Sequence, residues 1–155
     1  MRYIKFIEVD DPELKNKIEK IFKTQDQNEI GRIGEVIAEK YILSRFYPYP
    51  NYSIRRTNID DDYICRMRTN IYELFYIPDF VVESKDGSER ILVEVKTTIR
   101  KKIKIRGGAK EEFRNQLKKA VSKGAFTKLL IIKIRLGGYS FNCPYVKYSI
   151  DEIKL

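Results

Sequence analysis

Histidine is missing from this 155-residue chain, and so is tryptophan. Without an imidazole there is no ordinary general base near neutral pH, no His-based zinc site and no Ser-His-Asp triad. Any catalysis has to rest on carboxylates, lysines, tyrosines or a metal held by oxygen. Cysteine is scarce: Cys65 and Cys143 are too few for a disulfide framework or a four-thiolate metal site, and read as two ordinary thiols. Long apolar runs are lacking too, since none approaches the roughly 20 residues of a membrane span. The segment Met1 to Glu8 leads into acidic residues, with no long apolar region and no small-residue cleavage site. The expectation is a soluble, cytoplasmic protein with no membrane partner and no nucleotide cofactor.

What is present is enough for one globular domain over residues 1–155. The hydrophobic share is 43%, spread in short runs along the whole length, which suits a core that folds without staples. The formal charge is +9, and its placement carries more than its size. Up to Pro50 nine basic residues balance nine acidic ones; from Lys96 to Arg135 fourteen basic residues face only Glu111 and Glu112. A cationic block inside a folded domain points to a polyanionic partner, nucleic acid first among them, against the plainer reading of a solvated basic face.

Periodicity lays out the elements. A short strand over Tyr3 to Val9 precedes a helix from about Pro12 to Phe22, started by Asp10, Asp11 and Pro12. A second helix runs from about Asn28 to Arg45, with Ile30, Ile33, Ile37 and Tyr41 on one face, and Pro48 and Pro50 forbid its continuation. Tyr52 to Arg56 reads as a strand, followed by an irregular polar stretch through Asp60, Asp61 and Asp62. Strands over Tyr72 to Val82 and Arg90 to Thr97 flank Asp86 and Gly87, a strong hairpin signal because Gly supplies the positive φ of the turn. A helix from Lys110 to Lys123 shows a Phe113, Leu117, Ala120, Val121 stripe and a Gly124 cap. Lys128 to Leu136 is a nearly continuous apolar strand, and Tyr145 to Ile150 a last one. The pattern is α/β: a mixed β-sheet flanked by helices.

The chemistry sits on the hairpin. Strand alternation puts Ile91, Val93 and Val95 on one face and Leu92, Glu94 and Lys96 on the other. Asp79 follows Pro78 on the preceding strand, and antiparallel pairing through the turn can bring it to the face of Glu94. Two converging carboxylates repel unless a cation lies between them, and oxygen-only ligands suit Mg²⁺ or Mn²⁺. Glu35 lies off the Ile30-Ile33-Ile37 stripe, with small neighbours Gly31 and Ala38 that would let the helix approach the sheet. Taken singly, each piece has an ordinary explanation: a solvated helix glutamate, a strand start, an edge pattern. Order and spacing together make the case.

Gly31, Arg32, Ile33, Gly34 and Glu35 on a helix, then Pro78 and Asp79, then Glu94, Val95 and Lys96 on a strand, resemble the PD-(D/E)XK nuclease superfamily. The resemblance covers about residues 28–136 and is nearest to the archaeal Holliday-junction resolvase branch. It leaves residues 1–27 as an N-terminal extension and the last strand as an addition. It implies a restriction-endonuclease-like core of order α-β-β-β-α-β. It also implies metal binding by Asp79, Glu94 and the Val95 carbonyl, with Glu35 joining directly or through water. Lys96 would orient the attacking water and stabilise the phosphate's developing charge. Gln116 matches a glutamine that some branches place near the metal, set against the plainer reading of an amide in contact with water.

The loop after the catalytic strand carries Arg100, Lys101, Lys102, Lys104 and Arg106, and Lys110 and Arg114 follow on the next helix. Their contacts with phosphates give affinity and salt dependence but little sequence reading, so structure-selective cleavage is expected. Tyr47, Tyr49 and Tyr52 read first as aromatic packing and second as platforms for unpaired bases. Three functions stay open. One is a metal-dependent endonuclease on branched or Holliday-junction DNA, acting as a homodimer because paired cuts need two related sites. Another is a RecB-like exonuclease or mobile-element processing nuclease, without the four-cysteine iron-sulfur cluster of some branches. The third is a non-catalytic DNA-binding protein on the same fold.

Overall fold

The computed structural model describes residues 5–57, 65–69, 72–99, 115, 126–138 and 144–154. The helix anticipated over Lys110 to Lys123 falls outside them apart from Asn115, which is helical. Strand β1 (Lys5–Ile7) leads to helices α1 (Pro12–Thr24) and α2 (Gln27–Ile37). α2 continues without a break into a π-helical stretch, Ala38–Leu43, and a last turn, Ser44–Phe46. Among the described residues seven strands follow: β2 (Tyr52–Arg56), β3 (Cys65–Thr69), β4 (Tyr72–Tyr76), β5 (Phe80–Ser84), β6 (Arg90–Thr98), β7 (Lys128–Gly138) and β8 (Pro144–Lys154). Six of the strands form one sheet in the order β1-β8-β7-β6-β5-β2, and β3 pairs with β4 in a separate two-stranded sheet. This is a mixed α/β fold, a multi-strand sheet with flanking helices. Among the described residues no helix is long and apolar enough to cross a membrane.

Two compact units divide the chain, and β6, β7 and β8 contribute to both. The first gathers α1, α2, the π-helical stretch, β1, residues 95–98 of β6, 131–138 of β7 and 144–151 of β8. Each of its two helices starts from a side-chain cap. Asp11 accepts a hydrogen bond from the Glu13 amide at 3.0 Å with Pro12 in the first turn, and Asp26 accepts from the Asn28 amide at 3.0 Å. Between them Gln25 takes a left-handed conformation, φ 52°, and returns its amide to the Ile21 carbonyl. The stripe expected from periodicity is buried, Ile30, Ile33, Ile37 and Tyr41 along α2 and its continuation, and Leu14, Ile18 and Ile21 of α1 are buried as well. Full burial of each such side chain stabilises by about 1.5–3 kcal/mol before entropy is counted. Tyr41 adds a polar tie, its hydroxyl donating to Asp10 Oδ1 at 2.9 Å.

The second unit holds residues 46–51, β2 to β5, residues 90–94 of β6, 128–130 of β7 and 152–154 of β8. β5 pairs antiparallel with both β2 and β6, with Phe80 opposite Arg56 on one side and Val93 on the other. The β5–β6 turn is the anticipated one: Gly87 has φ +76°, and Asp86 accepts from the Ser88 amide and from the Ser84 and Ser88 hydroxyls. Two expectations are corrected. Tyr72 to Val82 is not one strand, because β4 belongs to the small sheet, and the chain leaves it at Ile77, Pro78 and Asp79 before β5 begins. Pro78 brings no amide to a ladder, so a strand cannot run through it as a central one. Beyond the stretch read as irregular through Asp60, Asp61 and Asp62, where no strand is expected, lies β3, paired in register with β4 from Cys65–Tyr76 to Thr69–Tyr72.

Candidate active site

Pro78 and Asp79 sit on a backbone held from both sides. The Thr57 amide donates to the Asp79 carbonyl at 3.2 Å, and the Thr57 hydroxyl donates to the Pro78 carbonyl. Across the other edge the Asp79 amide donates to the Val93 carbonyl at 3.0 Å. Val93 is already the register partner of Phe80, so two residues of one strand address a single residue of the other. That is the arrangement of a β-bulge, which bends a strand and re-aims a side chain. The antiparallel pairing of the Asp79 and Glu94 segments is therefore as anticipated. The direction of Asp79, however, is set by the bulge rather than by simple alternation. Glu94, one residue beyond Val93, is a buried carboxylate, 8% exposed, at the end of a row of apolar positions Ile91 to Val93.

Lys96 is exposed and Val95 half-buried on the continuation of β6. In the first unit, α2 meets this part of the strand at Gly34. A Cβ there would overlap the Thr97 side chain, so only glycine allows the approach. The small residue that lets the helix in is thus Gly34 and not Gly31, around which there is open space. Glu35, half-buried, is the residue after this contact, and Lys96 the one before it. The next turn of the helix is π-helical, and Ala38 is fully buried. Insertions of this kind widen a helix and recur at functional sites.

Gln116 and the cations Arg100, Lys101, Lys102, Lys104, Arg106, Lys110 and Arg114 lie outside the described residues. The tyrosines divide. Tyr47 and Tyr52 pack edge to face at 5.1 Å and 69°, and burial holds the Tyr47 hydroxyl above its usual pKa. Tyr49 is 89% exposed. Among the described residues no group of three or more Asp, Glu or Cys converges as a ready-made metal-ligand cluster. Magnesium does not demand one, since it is usually held by one or two carboxylates while retaining waters and taking substrate phosphate oxygens.

Sequence reasoning did not single out Lys133. In a strand read as apolar, this lysine is 2% exposed and its ammonium lies 2.9 Å from Asp151 Oδ2. The one polar residue inside Leu129 to Ile134 was the available signal. The fold and this arrangement define a mixed α/β protein with a buried glutamate and an exposed lysine two positions apart on a central strand. Compared with protein-family models, curated proteins and solved structures, the chain matches none.

Proposed function

We propose that the protein is a divalent-metal-dependent nuclease of the PD-(D/E)XK type, hydrolysing phosphodiester bonds in DNA. The observation that carries this reading is the Glu94-Val95-Lys96 segment of β6, whose neighbouring strand β5 is entered directly from a backbone-pinned Asp79. Within the main sheet the order of elements from α2 onward is α2, β2, β5, β6 and then β7, which supports a restriction-endonuclease-like core. The donor set is all oxygen, as a hard cation requires: Asp79, Glu94 and the Val95 carbonyl, with Glu35 from α2. When bound, Mg²⁺ or Mn²⁺ supplies an acidified water and Lewis-acid polarisation of the scissile phosphate.

The chain's own groups do the rest. A pinned backbone at Pro78 and Asp79 fixes where one carboxylate originates, as a catalytic constellation needs. The Lys96 ammonium balances charge that accumulates on the phosphate and holds the attacking water by hydrogen bonding. No residue pattern reads base edges, so selectivity falls to the shape of the substrate, with branched or junction DNA as first choice and a homodimer as the cutting unit.

The test is cleavage of a labelled panel of four-way junction, flap, linear duplex, single-stranded DNA and RNA, with and without Mg²⁺ or Mn²⁺. Lys96→Ala and Asp79→Asn should abolish cutting while leaving DNA binding intact. Paired, metal-dependent nicks confined to the junction support the resolvase function; cutting of ends moves the protein to an exonuclease branch. Binding without cutting under every metal condition overturns the enzyme, and parental rates in both variants overturn the site.

A further inference from the structure

The two faces of β8 and its neighbours in the first unit differ sharply. Register pairs Ile7 with Val146 and Phe6 with Lys147, so Ile7 and Val146 share one face, where both are buried. Phe6 and Lys147 share the other, and there Phe6 is 67% exposed on a three-residue edge strand. The Lys147 ammonium stands 5.1 Å from the Phe6 ring centre and 5.4 Å from that of Tyr145, and the two rings are 6.3 Å apart. Tyr145 in turn lies across Gly137 of β7, where a Cβ would strike its ring.

β7 and β8 are joined by residues 139–143 alone, a link short enough only for antiparallel neighbours. With Tyr145 over Gly137 at one end and Asp151 on Lys133 at the other, Arg135 and Lys147 fall between the two ties on the same face. Neither is in an ion pair with a described residue, and Arg135 Nε is buried with no hydrogen-bond acceptor. Arg135 and Lys147 thus have no carboxylate partner among the described residues, whereas the Lys133 ammonium is held by Asp151. Exposed aromatic surface bordered by unneutralised cations has the chemistry of a single-stranded nucleic-acid platform: rings stack on bases and cations hold the flanking phosphates.

We propose that this face of β1, β8 and β7 binds single-stranded nucleic acid, with Phe6 as the stacking residue and Lys147 and Arg135 as phosphate contacts. It draws on residues outside the motif-bearing segments and does not depend on cleavage. In the nuclease reading, it would hold an unpaired strand leaving the cut.

The experiment is fluorescence anisotropy of a labelled oligo-dT of about 12 nucleotides, within the span such surfaces cover. It is run in EDTA at several salt concentrations, with the full chain and its Phe6→Ala, Phe6→Tyr and Lys147→Ala forms. Phe6→Ala should weaken binding about tenfold and Phe6→Tyr should restore it. Lys147→Ala should reduce the slope of log K against log salt by about 0.7. Unchanged affinity in Phe6→Ala overturns the inference. So does sedimentation showing a dimer that Phe6→Ala dissociates, since a second copy of the chain then occupies the face. Because EDTA removes the metal, failure here leaves the nuclease reading standing, and failure to cleave leaves this surface untouched.

Discussion

Gly34 of α2 rests directly on Thr97 of β6, so closely that a methyl group on the glycine would occupy the place of the threonine hydroxyl. The obstacle is a β-branched side chain on a strand rather than the tip of a flexible one, so it cannot swing aside. Gly34→Ala should destabilise the protein by about 1–3 kcal/mol through overpacking, although alanine is the better helix former. Pairing it with Thr97→Gly should recover part of the loss, and denaturant melts of the four-member cycle measure that coupling. An additive double mutant would show that the helix and strand do not meet as described.

Lys133 and Asp151 make a second close pair, at 2.9 Å, with the lysine side chain 3% exposed and the aspartate 15%. Taking both charges out of water costs nearly what their attraction returns, so the pair adds little net stability while the loss of one partner is expensive. Asp151→Ala should cost about 3–5 kcal/mol in chemical denaturation, because it takes the paired carboxylate away from a buried ammonium. Lys133→Met combined with Asp151→Leu should cost much less than the sum of the two single changes. Equal, small losses in both single variants would mean that the ammonium reaches water.

How far the sequence announces all this depends on whether the deciding interaction is local. The Asp11-Pro12 helix start, the Ile30 to Tyr41 stripe and the Asp86-Gly87 turn are fixed by residues within a few positions of one another. Each appears in the structure where periodicity and turn chemistry put it. The division of Tyr72 to Val82 into β4 and β5 is decided by partners: β3 claims Tyr72 to Tyr76, while β2 and β6 claim Phe80 onward. The site follows the same rule. That Glu94 and Lys96 share a face of one strand is a property of alternation. The direction of Asp79 depends on the Val93 carbonyl accepting its amide, which no pattern along either strand reveals. Helical spacing puts Gly34 within the Ile30-Ile33-Ile37 stripe and Gly31 at its edge, but only the position of Thr97 shows that Gly34 must be glycine.

Asp86 titrates within the turn it builds. Hydrogen bonds from the Ser88 hydroxyl and amide and from the Ser84 hydroxyl favour the carboxylate and bring its pKa down from 3.8 to about 2. A depressed carboxylate pKa contributes stability that is fully present above the unfolded value and is lost as pH falls through the folded one. The window therefore lies between about pH 4 and pH 2. Asp86→Asn should melt below the parent at pH 6, and the gap should close as pH is lowered through this window. A gap of constant size down to pH 2 would assign the loss to turn geometry instead of charge.

Metal binding can be read without any cleavage. If Asp79 and Glu94 hold a divalent ion in the folded state and nothing holds it in the unfolded one, the ion must raise the melting temperature by mass action. At a concentration of 100 Kd the gain is about 2.7 kcal/mol. Mn²⁺ and Mg²⁺ should therefore shift the thermal midpoint upward in a concentration-dependent way. Asp79→Asn and Glu94→Gln should each remove most of that shift. Lys96→Ala should retain it, because an ammonium donates no electron pair to a cation and its removal lowers local repulsion. That last contrast separates a metal site from a merely basic surface: a lysine that binds water and phosphate can be lost without loss of the ion. Equal midpoints with and without metal in the parent protein would sink the ligand assignment, whatever the DNA panel showed.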